Sequence, residues 1–106
     1  MTIPIEIETR EDRLAFELFD ATTLAVGISL GLPGNAVLTF RGLGRRKDPK
    51  DPYTVRLELG LGNNASVAEA ARWLCSRVKG RASAMRVRGA SVEVDPAKVE
   101  QALTHA

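Results

Sequence analysis

The chain has little of what most enzymes are built from. It has one cysteine, Cys75, and one histidine, His105, which stands next to the C-terminus. A lone cysteine excludes an internal disulfide and any cysteine-cluster zinc site. A single histidine at a terminus, where chains usually fray, leaves Ser/His and Cys/His nucleophile pairs without a base. Aromatic residues are scarce too: Phe16, Phe19, Phe40, Tyr53 and Trp73 are the whole set. None forms an exposed strand pair of the kind on which an RNA-recognition sheet stacks bases. The longest nearly apolar run, Leu24 to Leu32, is about half of what a membrane-spanning helix needs. "MTIPIEIETRED" has no basic segment followed by an apolar one, so no secretory signal and no membrane partner are expected, and the expected setting is cytoplasmic. An enzyme is the least expected class, and no metal or cofactor is expected.

What is present suits one globular core. The length of 106 residues fits a single domain over 1–106, and the 44% hydrophobic and 26% charged content argues against disorder. "IPIEIE" alternates Ile3, Ile5 and Ile7 with Glu6 and Glu8, a half-buried strand. "EDRLAFELFDA" places Leu14, Ala15, Leu18 and Phe19 at helical spacing, although Leu14, Phe16 and Leu18 also fit a strand. Leu24, Val26, Ile28 and Leu30 alternate with small residues, and Pro33-Gly34 supplies a turn back into Val37–Phe40. That stretch reads as a hairpin apolar on both faces, as in strands covered on both sides or lying at an interface. "YTVRLELGL" is the clearest strand. "SVAEAARWLCSRVKG" is the clearest helix, with Ser66 and Glu69 as a capping box and Gly80 as a left-handed end. "AMRVRGASVEV" predicts a tight hairpin on Gly89-Ala90, with Met85 opposite Val94 and Arg86 opposite Glu93. Asp95 and Pro96 open a last helix. The expected fold is α+β: a two-layer sandwich, a mostly antiparallel sheet with two to three helices on one face. The other face would show Glu6, Glu8, Arg56, Glu58, Arg86 and Glu93.

Charge is unevenly placed. Residues 1–40 sum to −4, residues 41–90 to +8 and residues 91–106 to −2. A basic middle either follows an anionic partner or folds against the acidic N-terminal part, and the second is the commoner outcome. The densest cluster is "RGLGRRKDPKDPY", where Arg41, Arg45, Arg46, Lys47 and Lys50 are candidates for phosphate contacts. Asp48 and Asp51 dilute that field, and Pro49 and Pro52 suit a structural connector. Gly60, Gly62 and Ala65 fit G-x-G-x-x-A, but the chain is too short for paired βαβ halves, so the turn reads as a glycine-relieved entry to a capped helix. Cys75 falls on the apolar stripe of its helix. Trp73 lies off the centre of that stripe beside Arg72 and Arg77, and these three are the best candidates for a partner-binding site.

From Ser66 onward, "SVAEAARWLCSRVKGRASAMRVRGASVEVDPAKVEQAL" resembles the C-terminal part of the effector-associated constant component family of bacterial conflict systems. The shared pattern is an Ala/Leu-rich helix with a Trp-Leu pair, a basic segment, a V-R-G hairpin and a last helix. The resemblance covers about a third of the chain and implies an adaptor coupled to effectors, with no catalytic residue. The leading expectation is therefore a non-enzymatic protein-protein interaction module, docking an effector or a second copy of itself. A phosphate-contacting nucleic-acid-binding domain and an immunity or inhibitor protein of a toxin are the alternatives.

Overall fold

The computed structural model describes residues 2–44 and 46–104. Its elements are β1 (Thr2–Thr9), α1 (Leu14–Leu18), β2 (Ser29–Leu32), β3 (Ala36–Leu43), β4 (Tyr53–Leu61), α2 (Val67–Val78), β5 (Ala82–Val87), β6 (Ala90–Val92) and α3 (Pro96–Thr104). The strands form one antiparallel sheet in the order β2-β3-β4-β1-β5-β6. The expected α+β sandwich is the one observed. β1 comes first in the chain yet lies inside the sheet, between β4 and β5, because both of its edges find partners made much later.

One face of the sheet builds the core. Ile3, Ile5 and Ile7 of β1, Val55, Leu57 and Leu59 of β4, Leu38 and Phe40 of β3, and Met85 and Val87 of β5 are all buried on it. They meet Ala70, Ala71, Leu74, Cys75 and Val78 of α2, Val99 and Leu103 of α3, and Leu14, Ala15 and Leu18 of α1 in a single apolar cluster. Period-two strands and period-3.6 helices thus place their apolar sides on the same layer. The ambiguous 11–21 stretch resolves as a helix of little more than one turn, followed by Asp20 with a left-handed φ of 49°.

Among the described residues, one polar side chain is buried in the core. Thr9 is fully buried; its Oγ1 donates to the Arg81 carbonyl at 2.7 Å and accepts from the Glu11 N–H at 3.1 Å. It stands where the β1–β5 register shifts, so the hydroxyl ties off backbone groups that the ladder leaves there. Thr9→Val keeps the shape and removes the hydroxyl, leaving a carbonyl and an N–H unmatched. Urea unfolding should show a loss of about 1–3 kcal/mol.

Three local expectations need correction. The 24–40 hairpin is not apolar on both faces: Leu32, Ala36, Leu38 and Phe40 are buried, but the opposite side carries Ser29, Gly31, Val37 and Thr39, with Ser29 Oγ 3.1 Å from Thr39 Oγ1. Its first strand is also shorter than the alternation suggested. Gly27 takes φ 100° and donates to the Phe40 carbonyl at 2.8 Å, so regular pairing starts only after that kink. The β5–β6 turn sits on Arg88-Gly89, both with positive φ (52° and 80°), as in a type I′ turn. Met85 therefore faces Val92, and Arg86 faces Ser91 rather than Glu93. Finally, only half of the capping box forms. Ser66 Oγ accepts from Glu69 N–H at 3.3 Å, while the Ser66 N–H donates to the Gly34 carbonyl at 2.7 Å instead of the Glu69 carboxylate. The helix start is thereby fastened to the β2–β3 turn.

Candidate functional site

Part of the charge asymmetry of the sequence is resolved inside the molecule. Arg86 of β5 reaches across to β1, donating to Glu6 at 3.1 Å and Glu8 at 3.0 Å. Those two bonds, Glu6 first, raise the Arg86 pKa further above its usual value. Arg81 binds Glu11 at 2.9 Å and also pairs with Glu17 on α1, with the same consequence. Two bases of the positive middle are thus matched by four acids of the negative N-terminal part. Glu6, Glu8, Arg56, Glu58 and Arg86 do line the open face of the sheet. Glu93 lies one residue past the end of β6.

The same closure reaches the basic loop. Arg41 belongs to β3, where its guanidinium pairs with Glu58 on β4 at 3.5 Å. The Arg46 guanidinium lies 4.0 Å from the centre of the Tyr53 ring and donates to the Pro49 carbonyl at 3.1 Å. Lys50 N–H donates to Asp48 Oδ1 at 2.8 Å, and Asp48 N–H donates to Asp51 Oδ2 at 3.2 Å. The two aspartates shape the loop as well as diluting its charge. Lys47 and Lys50 are exposed, and Arg45 lies outside the described residues. Sequence reasoning missed Arg10, which donates to the Lys50 carbonyl at 2.7 Å and forms a shallow pocket wall with Arg46, Lys50 and Tyr53. Nothing near 41–53 signals it, because β1 delivers it from the far end of the chain. Of the four described candidates for phosphate contacts, Arg41 and Arg46 are engaged within the fold, and Arg46 and Lys50 line the same shallow pocket.

Trp73 and Arg77 do come together. They lie one helical turn apart on α2, and the Arg77 guanidinium sits 5.2 Å from the centre of the indole. Trp73 is half-buried, packed against the edge of the core and partly exposed. With Glu17 and Asp20 from α1 and its exit, and Leu30 and Gly31 from β2, these two residues line an open groove between the helix layer and the sheet edge. Arg72 is exposed and does not line it, so the three-residue set contracts to Trp73 and Arg77 and gains the β2 residues. The off-stripe position of Trp73 was a usable signal. The nearness of β2 was not, since it depends on the Ser66–Gly34 bond that seats α2 against the hairpin.

Cys75 is buried on the inner side of the same helix. Burial first, and Asp95 second, push its thiol above the ordinary value, against a smaller opposing pull from Lys79. Such a thiol stays protonated and acts as a small core residue. Around the glycine turn, Ala65 N–H bonds to the Gly62 carbonyl at 3.1 Å and Ser66 supplies the cap, so local partners already occupy the helix entry. No helix is long and apolar enough to cross a membrane among the described residues. Neither a protein-family model, nor a curated protein, nor a solved structure matches this chain.

Proposed function

We propose that the protein is a non-enzymatic docking module, an adaptor in the sense that the family resemblance implies, and that it engages a protein through the groove between α2 and β2. The observation that carries this reading is the half-exposed Trp73 with Arg77 set over its ring, beside an open sheet edge. Tryptophan and arginine supply a large share of binding energy at interfaces, because a rigid ring and a planar cation lose little freedom on contact. The cation held on the ring is already oriented for a partner, which lowers the ordering cost of association.

Wild type, Trp73→Ala and Arg77→Glu are compared as immobilised baits, with circular dichroism confirming that each is folded. A partner held by wild type should lose affinity about tenfold or more for either variant. Trp73 is the sole tryptophan, so its emission should also shift to shorter wavelength as the partner covers it. Equal retention by all three folded baits, with no change in emission, would overturn the reading.

A further inference from the structure

Resting on that docking reading, we infer that the occupant of the groove is a second copy of this chain, joined through antiparallel pairing of β2 with its symmetry mate. The first reason is the state of the edge. β2 is an outer strand with no partner on its far side among the described residues, and Ser29 and Gly31 are exposed. Phe40 N–H donates to the Ile28 carbonyl at 2.9 Å, so by alternation Leu30 and Leu32 bond inward to β3 while Ser29 and Gly31 point their N–H and C=O groups outward. Proteins blunt such edges with charge, proline or extreme shortness. The other edge follows that practice: β6 has three residues, flanked by Arg88 and Glu93. Ser29–Leu32 is short as well, at four residues, but has neither charge nor proline within it, and Pro33 lies just past its end in the turn to β3.

The second reason is Gly31. Its φ is not left-handed, and a Cβ built there would meet nothing within 4 Å. Nothing inside the molecule requires glycine at this place. A glycine in a strand often marks a site where another backbone approaches closely.

The third reason is what selects a second copy over a foreign strand. The outward groups of Ser29 and Gly31 match those of Gly31 and Ser29 in a copy turned about a two-fold axis through Leu30. That register sets Leu30 against its own mate as a close, non-hydrogen-bonded pair. Leu30 faces the helix side, next to Trp73, where the core of each copy ends half-covered. Arg77 lies in the same groove as Asp20, so a copy of itself brings both signs to the seam. A two-fold pairing also closes: the β2 edges of both copies are consumed, and the six strands of each copy run on as one sheet bounded by the two β6 strands.

Sedimentation across a wide concentration range should show a reversible dimer for wild type. Gly31→Pro, which removes an outward N–H without touching the β3 ladder, should be monomeric and as stable as wild type. The register is tested in a Cys75→Ala background, where a mild oxidant should crosslink Leu30→Cys chains into dimers. Ser29→Cys chains should not crosslink, because that register sets the two sulfur-bearing residues beyond the ~7 Å Cα separation a disulfide can span. A wild-type monomer at every concentration, a dimeric Gly31→Pro, or crosslinking at position 29 and not at 30 would each overturn the inference. If self-pairing fails while Trp73→Ala still loses a heterologous partner, the docking reading survives alone. If Trp73→Ala changes nothing, the docking reading falls with it.

Discussion

Ile5→Ala should lower the unfolding free energy by about 2–5 kcal/mol, a large part of the ~5–15 kcal/mol that holds a typical domain together. Ile5 is 1% exposed and sits mid-strand in β1. It stands opposite Leu57 on β4 and Val87 on β5, so its side chain is shared by both halves of the sheet. Truncation leaves a void walled by strands on two sides and helices above, where backbone hydrogen bonds restrict collapse. Guanidinium unfolding followed by circular dichroism gives the number. Thr2→Ala at the exposed start of the same strand is the control, with an expected change within ~0.5 kcal/mol. Equal effects at the two positions would mean that β1 is not the central strand.

Gly34→Ala is expected to cost at least ~2 kcal/mol. Gly34 has φ +85°, a conformation that penalises any L side chain. The added Cβ would also stand 2.9 Å from the Ser66 carbonyl oxygen and 3.0 Å from Ser66 Cβ, neither of which is free to swing away. The Gly34 carbonyl already receives the Ser66 N–H, so strain here reaches the first turn of α2. The substitution should therefore loosen the seat of Trp73 and shift its emission to longer wavelength in the folded protein. Gly31→Ala, whose Cβ meets nothing and whose φ is ordinary, should stay within ~0.5 kcal/mol of wild type. A harmless Gly34→Ala would show that the turn and the helix are not locked together.

Most of the architecture was legible because hydrophobic period and punctuation agreed. Ile3, Ile5 and Ile7, the alternation of Tyr53–Leu61, and the Ser66-to-Gly80 helix each carry both a pattern and an end signal. The hairpin at 85–92 was misplaced because Arg88 adopts positive φ, which an arginine does not advertise, and the register moved by two residues. The 24–32 stretch failed differently. Its alternation is real, but a kink at Gly27 takes Val26 out of the sheet and leaves it 63% exposed. Of the candidate site, Trp73 and Arg77 were readable from one helix. Leu30, Gly31 and Asp20 were not, since long-range packing brings them there and no local pattern encodes it. Arg10 escaped for the same reason, as did the pairing of Arg81 and Arg86 with glutamates from the N-terminal segment.

The central place of β1 has a consequence for synthesis. As the chain is made, the isoleucine-bearing strand emerges ahead of both of its register partners, residues 53–60 on one side and 82–87 on the other. Until those residues emerge, Ile3, Ile5 and Ile7 have no strand to pair beside. During that interval the strand's apolar face is uncovered and is a hazard for co-translational aggregation. Moving β1 to the C-terminus by circular permutation would shorten that exposure while leaving the finished sheet unchanged.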